Sequence, residues 1–376
     1  MDAYRGFEQG PIRPPSEADS LLLRLTRNCP WNRCTFCPVY KERKFSLRPV
    51  DDILRDIDTI YELTSELQQG RRPLSTSEQN PEKEYALQVA RNWVSSGMTS
   101  VFLQDADSLV LKPEQTIRIL CHIRELFPTV KRITSYGRSH TIARISTANL
   151  REMAEAGLNR IHIGMETAAD RILEMVRKGA DKDIHIKAGI KTREAGIELS
   201  EYVLIGIGGE QFWREHAIET ADAMNQINPD FIRFRTLHIL DSLNLFENSE
   251  QFTWQRPTDL TIAEEVLLFI DGLDGISSCV KSDHMYNLFQ ELDGTLPQDK
   301  ERLQGVLQKF INMEPKKRIC FQLGKRLGHF LRLSDMDIPN RLARVEDICV
   351  QLGMTPENAD RKINDIIQER MRDGWW

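Results

Sequence analysis

Residues 21–38 read LLLRLTRNCPWNRCTFCP, an apolar run followed by three closely spaced cysteines. The first six residues have the near-continuous apolar character of a buried strand. Cys29, Cys34 and Cys37 follow in a segment rich in turn-forming residues, with four and two residues between them. The stretch therefore predicts a strand that leads directly into a loop carrying three thiols.

Three thiols at this spacing can converge on one metal centre. A structural zinc ion normally takes four Cys or His ligands, but the next such residues in the chain are Cys121 and His122. Iron–sulfur clusters are held by cysteine thiolates, and three of them leave one iron of a [4Fe–4S] cluster open to an external ligand. The spacing favours the cluster, while a zinc site and a loop without metal stay open as alternatives.

The first 240 residues repeat a pattern of strand and helix. Short apolar runs typical of buried strands recur at residues 100–104, 132–136, 160–164, 198–206 and 230–237. Segments with apolar residues at helical spacing separate them, and the polar residues 71–84 predict a loop. Six strands joined by helical crossovers indicate an α/β fold with a parallel sheet. In such folds the functional residues lie in loops at the carboxyl ends of the strands.

The patterning divides the chain into three regions. Residues 1–19 form an N-terminal segment, residues 20–245 hold the alternating strands and helices, and residues 246–376 are predicted to be helical, with no clear strands beyond residue 258. Residues 341–376 predict two helices with a short Gly-Met-Thr-Pro turn between them. This end of the chain is therefore a helix–turn–helix-like candidate.

The composition is that of an ordinary globular protein. Of 376 residues, 40% are hydrophobic and 28% are charged, which excludes a disordered chain. The net charge of −6 gives no argument for binding nucleic acid or an anionic membrane. The seven cysteines are odd in number and the chain is long, which argues against a disulfide framework. No apolar run has the length of a membrane span or the character of a signal peptide, so we expect a cytoplasmic protein.

The cysteine loop, placed after the first of six strands and with Phe36 before the third cysteine, resembles that of the radical S-adenosylmethionine (SAM) superfamily. The resemblance covers roughly residues 18–240 and is greatest to the branch that includes oxygen-independent coproporphyrinogen oxidase and Elongator-type catalytic domains. The spacing departs from the family's usual three and two residues. The resemblance implies a partial (βα)6 TIM-like barrel with a helical C-terminal extension. It also implies a [4Fe–4S] cluster on Cys29, Cys34 and Cys37, whose open iron binds SAM.

The resemblance also implies residues that contact SAM, each at the end of a predicted strand. Asp105 or Asp107 is expected to receive the SAM ammonium, with a turn or helix-capping role as the alternative for each. Glu166 is expected to contact the ribose or amino group, and the basic residue at Lys178 the carboxylate. The remaining positions are Ser135 and Arg138 at the end of the third strand, where a hydroxyl could hold the ribose, and Gly206 and Gly208 against the adenine.

Three further features are weaker candidates for the substrate side. Arg233 and Arg235 alternate along a strand and therefore share a face, where they suit either an anionic substrate or an ion-paired structural role. His284 precedes a helical run in the C-terminal region. Six basic residues without an acidic one lie between residues 316 and 332, which fits a phosphate or RNA contact, or a solvated helix face.

The sequence therefore predicts a radical SAM enzyme that cleaves SAM reductively, giving a 5′-deoxyadenosyl radical that abstracts hydrogen from an unidentified substrate. An electron donor such as flavodoxin or ferredoxin is an implied partner. Coproporphyrinogen-type decarboxylation and RNA modification are the two substrate hypotheses. The alternatives from other classes are a zinc-stabilised nucleic-acid-binding module and a non-catalytic iron–sulfur protein.

Overall fold

The computed structural model describes residue 4 and residues 6–70, 81–239 and 254–372. The strands are β1 (Leu21–Arg24), β2 (Thr26–Arg27), β3 (Ser46–Leu47), β4 (Ser100–Gln104), β5 (Arg132–Gly137), β6 (Arg160–Glu166), β7 (Glu198–Ile205), β8 (Phe231–Thr236), β9 (Cys279–Lys281) and β10 (Gly294–Thr295). Each of the six runs predicted as strands between residues 20 and 240 overlaps one of them.

Within the described ranges, eight strands form one sheet in the order β1-β4-β5-β6-β7-β8-β9-β10. The pairs β1/β4, β4/β5, β5/β6 and β8/β9 are parallel, and β10 pairs antiparallel to β9. Strands β2 and β3 form a separate antiparallel ribbon on either side of the cysteine loop. The mostly parallel sheet confirms the predicted α/β class and is consistent with a partial TIM-like barrel followed by a helical C-terminal part.

Helices connect the strands. They are α1 (Val50–Gln68), α2 (Pro81–Ser95), α3 (Pro113–Leu126), α4 (Ser139–Ile142), α5 (Thr147–Glu155), α6 (Asp170–Met175), α7 (Lys182–Glu194), α8 (Gly209–Ile227), α9 (Asp259–Gly272), α10 (Lys300–Ile311), α11 (Pro315–Arg326), α12 (Pro339–Gln351) and α13 (Ala359–Arg372). No helix in the described part of the chain is long and apolar enough to cross a membrane.

Local sequence explains where these elements lie. Ile53, Ile57 and Ile60 repeat at helical spacing and are fully buried along one face of α1. Ser146 caps α5 by accepting a hydrogen bond from the backbone N–H of Asn149. All five residues of β4 are buried, as expected for a parallel strand covered on both faces.

The structure differs from the sequence prediction at two places. Helix α2 begins at Pro81, inside the stretch predicted as a loop, because proline suits the first turn of a helix as well as a turn. Strands β9 and β10 lie beyond residue 258, where no strand was expected. They have only three and two residues, and β9 pairs with β8 through long-range hydrogen bonds that no local pattern predicts.

The chain divides into two compact units. The first comprises Met1–Asn32, Val39–Gly164 and Lys187–Ser200, and the second comprises Arg33–Pro38, Met165–Ile186 and Glu201–Trp376. The N-terminal segment 1–19 belongs to the first unit. The boundary predicted at residue 245 lies outside the described residues. The two helices of the predicted helix–turn–helix-like end are α12 and α13, both in the second unit.

Candidate cofactor-binding site

The three cysteines of the loop after β2 are half-buried thiols. All seven cysteines of the chain lie in the described residues and none is in a disulfide. Asn28 and Asn32, on either side of Cys29, have left-handed backbone conformations with φ of 68° and 46°. Asparagine tolerates this region better than most residues, so the sequence itself favours a tightly turned loop.

The first half of the loop is fixed by Asp105, the residue after β4. Its carboxylate is fully buried, and one oxygen accepts hydrogen bonds from Arg24 at 2.8 Å and from the backbone N–H of Asn28 at 3.1 Å. The other oxygen accepts from the hydroxyl of Tyr40. Both carboxylate oxygens of Asp105, one of the two residues predicted to receive the SAM ammonium, thus already have protein donors, one of which is the backbone of the residue before Cys29.

Asn32 holds the same part of the loop from its other side. Its side-chain amide donates to the carbonyl oxygens of Tyr40 at 2.5 Å and Arg43 at 3.3 Å. Its backbone N–H lies 3.4 Å from the sulfur of Cys29. An N–H directed at sulfur stabilises a thiolate, which is the form that binds metals. The anchoring residues Arg24, Asn32 and Tyr40 were not predicted from the sequence, because nothing in their spacing identifies them.

The second half of the loop is fixed within the second unit. The backbone N–H of Thr35 donates to the carbonyl oxygen of Val176 at 3.0 Å. Phe36 packs against an apolar cluster that includes Ile172, Val176 and Leu204. The ammonium of Lys178 lies 5.7 Å from the centre of the Phe36 ring, within the range of a cation–π contact. The aromatic residue before Cys37 therefore anchors the loop.

Asp107, Ser135 and Arg138 lie in the first unit after β4 and in or after β5. The Asp107 carboxylate is buried and accepts from the hydroxyl of Thr141 at 2.6 Å and from the backbone N–H of Arg138 at 3.3 Å. Burial raises the pKa of Asp107 to about 6, against the effect of these two hydrogen bonds. The Ser135 hydroxyl donates to the carbonyl of Tyr136, and the Arg138 guanidinium lies 5.2 Å from the Trp31 ring. The structure thus groups Asp107 with Arg138.

Glu166 and Lys178 form an ion pair of 3.2 Å in the second unit. Glu166 ends β6 with a left-handed φ of 68°, a conformation that costs energy for a residue other than glycine and is frequent at functional sites. Glu201 of β7 is fully buried, and neither of its carboxylate oxygens has a hydrogen-bond partner in the described residues. Burial raises the pKa of Glu201 well above its usual value, the nearby Lys178 lowers it, and Glu166 raises it.

The glycine turn after β7 packs against other parts of the second unit. Gly206 has a φ of +84°, and a Cβ there would lie 3.0 Å from Ile262 and 3.2 Å from Pro257. The indole of Trp254 donates to the Gly206 carbonyl at 3.3 Å. A Cβ on Gly208 would meet the backbone of Phe212 in α8 at 2.8 Å. Both glycines predicted to lie against adenine therefore have close protein neighbours.

An uncharged polar network supports this turn. The backbone N–H of Gly206 donates to Glu265 at 2.8 Å, and the Glu265 carboxyl lies 3.4 Å from His216. Burial raises the pKa of Glu265 to about 8, and burial lowers the pKa of His216 to about 3. Both groups are therefore mostly neutral near pH 7, which removes the cost of burying two charges.

The two arginines predicted on one face of β8 differ in their partners. Arg233 forms a 2.5 Å ion pair with Asp283, which is the structural role left open from the sequence. The guanidinium of Arg235 lies 4.6 Å from the ring of Tyr202 on β7. Burial lowers the pKa of His284 to about 4, with Arg235 adding to the effect and Asp283 opposing it.

No group of three or more His, Cys, Asp or Glu side chains that could hold a metal ion occurs in the described ranges. The assignment of a shared centre to Cys29, Cys34 and Cys37 therefore rests on their spacing and on the chemistry of three thiols in an anchored loop.

Comparison with known proteins gives one informative match. The family model described as "Radical SAM superfamily" matches residues 23–221, more than half of the chain. This range contains all three loop cysteines and every residue predicted to contact SAM. No curated protein matches the chain.

Solved structures give weaker likenesses. Methylornithine synthase (PylB) is 16% identical over 68% of this chain and 64% of its own, with a TM-score of 0.40. Coproporphyrinogen III oxidase (HemN) from Escherichia coli is 15% identical over 64% and 50%, with a TM-score of 0.43. Elp3 from Methanocaldococcus infernus is 14% identical over 49% and 48%, with a TM-score of 0.38. The chain thus spans about half to just under two thirds of these structures, and at such TM-scores they do not bear on its substrate.

Proposed function

The chain belongs to the radical SAM superfamily and is an enzyme of that superfamily, and from this premise we propose that Cys29, Cys34 and Cys37 bind a [4Fe–4S] cluster with SAM at the remaining iron. When bound, the cluster and SAM supply a one-electron reduction that breaks a carbon–sulfur bond of SAM and leads to hydrogen abstraction from the substrate. Flavodoxin or ferredoxin is the electron donor that we expect.

The observation that carries the proposal is the anchoring of the cysteine loop on both sides of Cys34. Asp105, which also accepts from the Tyr40 hydroxyl, holds the backbone N–H of Asn28, and Phe36 packs against the apolar cluster. A loop whose backbone is fixed in this way presents its thiols with little loss of conformational entropy when the cluster binds. Asp105 is therefore a positioning residue for Cys29, since its oxygens already have donors.

We assign the SAM contacts to the remaining predicted residues. Lys178 is the cation for the SAM carboxylate, and Glu166 accepts from the ribose or amino group, because their ion pair of 3.2 Å can be exchanged for contacts to a zwitterion. Asp107, with its neighbour Arg138, is the second acidic candidate for the ammonium, and Ser135 is retained for the ribose. Gly206 and Gly208 have close protein neighbours, so we expect them to fix the shape of the turn near the adenine.

Replacing Cys34 by alanine tests the ligand assignment. The wild-type protein, purified without air, should be brown, hold about four irons per chain, and produce 5′-deoxyadenosine from SAM with a strong reductant. Cys34→Ala should lose both the iron and the product, because a cluster ligand is removed. Cys121→Ala removes an exposed thiol on α3 and should match the wild type in both.

The same measurements separate the alternatives. One zinc per chain in place of iron would establish the zinc-stabilised module. Iron without any SAM cleavage or SAM binding would establish a non-catalytic iron–sulfur protein. Full iron content in Cys34→Ala would overturn the ligand set.

A further inference from the structure

A cationic cavity lies in the second unit, in the part of the chain that follows the family match. It has about 440 Å³ of empty space, including solvent at its mouth, and is lined by Met285, Tyr286, Lys325, Arg326, Ile367 and Arg370. Three of these six side chains are basic and none is acidic. Helix α11 supplies Lys325 and Arg326, and α13 supplies Arg370.

Two of the basic residues are buried side by side, in a basic run for which the sequence left open a phosphate or RNA contact or a solvated helix face. Lys325 is 8% exposed and Arg326 is 6% exposed, whereas Lys316 and Lys317 of the same helix are exposed. Lys325 donates to the side chain of Gln290 at 2.7 Å, a neutral acceptor. Burial lowers the pKa of Lys325 to about 8, with Arg326 adding to the effect and Glu291 opposing it. Adjacent buried cations are costly unless an anion lies close by.

The protein neutralises only part of this charge. Arg326 pairs with Asp259 at 3.0 Å and donates to the Tyr286 carbonyl at 2.8 Å, but its Nε has no hydrogen-bond partner in the described residues. The Tyr286 hydroxyl is also buried without a partner there. Arg370 forms no hydrogen bond or ion pair with the described residues. Three residues that line the cavity therefore each have a donor without an acceptor among the described residues.

The cavity adjoins the end of the sixth barrel strand. The Tyr286 ring lies 5.2 Å from the ring of His238, two residues after β8, and 5.7 Å from the ring of His284. The carboxyl ends of barrel strands are where such folds hold their substrates. Met285 and Ile367 add apolar surface beside the donors. The arrangement fits a ligand with one oxyanion group and an apolar portion.

We propose that this cavity binds an oxyanion group, a carboxylate or a phosphate, of the enzyme's substrate through Arg326, Arg370 and Tyr286. The identification of the ligand as the enzyme's substrate rests on the proposed function. Anion binding itself requires neither the cluster nor SAM. Charge-assisted hydrogen bonds from guanidinium groups are the expected recognition chemistry.

Calorimetric titration at fixed ionic strength tests the proposal, with inorganic phosphate and succinate as probes for the reconstituted protein. We expect saturable binding of at least one probe, and the one that binds identifies the class of oxyanion. Arg370→Gln should weaken that binding at least tenfold. Arg372→Gln removes an equal charge from an exposed position on the same helix and should leave the affinity unchanged.

Three results would overturn the proposal: no saturable binding of either probe, equal weakening by the two arginine variants, or displacement of the probe by SAM. If Arg370→Gln does not fold by circular dichroism, Tyr286→Phe removes one unpartnered hydroxyl and should weaken binding severalfold. Iron content and SAM cleavage by the wild-type protein are measured separately. A failure of anion binding is therefore distinguishable from a failure of the proposed function.

Discussion

One buried carboxylate, that of Asp105, fixes the backbone of the cysteine loop. Asp105 is fully buried with donors on both oxygens, and its contacts reach the loop through Asn28 and Tyr40. A buried carboxylate that loses a donor keeps its desolvation cost without the compensating hydrogen bond. The hydroxyl of Tyr40 therefore contributes both to folding stability and to the geometry around Cys29.

Tyr40→Phe should lower the free energy of unfolding by about 1.5–3 kcal/mol, the range for hydrogen bonds to charged groups. It should also lower the iron retained per chain, because the loop loses an anchor. Chemical denaturation and iron analysis measure the two effects. Tyr85→Phe is the control, since that hydroxyl donates to the neutral side chain of Gln9 at an exposed site. Unchanged stability and iron content in Tyr40→Phe would exclude the anchoring role.

Asp107 should make stability depend on pH. Its pKa rises from 3.8 in the unfolded chain to about 6 in the folded protein, so the folded state holds its proton more tightly. The stabilisation is fully present below pH 3.8 and is lost as the pH rises through about 6. Relative to Asp107→Asn, wild-type stability should therefore fall by about 3 kcal/mol between pH 3.8 and pH 7. Urea unfolding of cluster-free protein measures this, and parallel pH profiles would contradict it.

Some of the candidate cofactor-binding residues can be identified from the sequence, and others cannot. Cys29, Cys34 and Cys37 stand out because three thiols in nine residues are rare without a metal. Glu166 and Lys178 were also predicted, and the structure pairs them at 3.2 Å. The donors on Asp105 come from residues 24, 28 and 40, which only the folded chain brings together. Long-range side-chain contacts of this kind leave no periodic signal.

Among the elements, the turn between β7 and α8 is closely constrained by packing. Gly206 has a positive φ, and its N–H donates a hydrogen bond to Glu265. Pro257 and Ile262 lie close to the position that a Cβ would take. The sequence reveals the glycines but not the segment that fills the space beside them. The turn therefore depends on residues about 50 positions further along the chain.

Gly206→Ala should destabilise the protein by about 2–3 kcal/mol, combining backbone strain with overpacking. Gly275→Ala is a matched control, because Gly275 has a φ of +68° but no atom within 4 Å of the added Cβ. That variant should cost only about 1 kcal/mol, the cost of the left-handed conformation. Thermal and urea unfolding measure both. Equal costs at the two positions would show that Ile262 and Pro257 do not restrict the turn.

The length of a strand decided whether it could be predicted from the sequence. The six strands that were predicted, β1 and β4–β8, have four to eight residues each and lie between turn formers, so each gave a recognisable pattern. Strand β9 has only three residues, and two of them are a cysteine and a lysine. A sequence this short is as compatible with a loop as with a strand. Helix α2 was missed at its start because Pro81 follows a polar run, and proline is found at helix starts as well as in loops.

At the scale of the whole molecule, the net charge of −6 conceals a local positive site. The six basic residues between residues 316 and 332 are not one surface, because Lys325 and Arg326 are buried while Lys316 and Lys317 are exposed. The net charge therefore gave no indication of an anion site, and the linear run, which suggested a phosphate or RNA contact or a solvated face, did not separate its buried residues from its exposed ones. Only the packing of α11 against neighbouring parts of the second unit distinguishes the two groups.

Removing the iron should lower the stability of the whole chain. A ligand that binds only the folded state stabilises it by mass action, by about 2.7 kcal/mol when present at a hundredfold excess over its Kd. Treating the reconstituted protein with a chelator should therefore lower its unfolding temperature by roughly 3 °C or more. Anaerobic calorimetry measures the shift. Cys121→Ala should shift as the wild type does, whereas Cys34→Ala, which lacks a ligand, should not respond to the chelator. A chelator effect of equal size in Cys34→Ala would mean that the iron is held elsewhere in the chain.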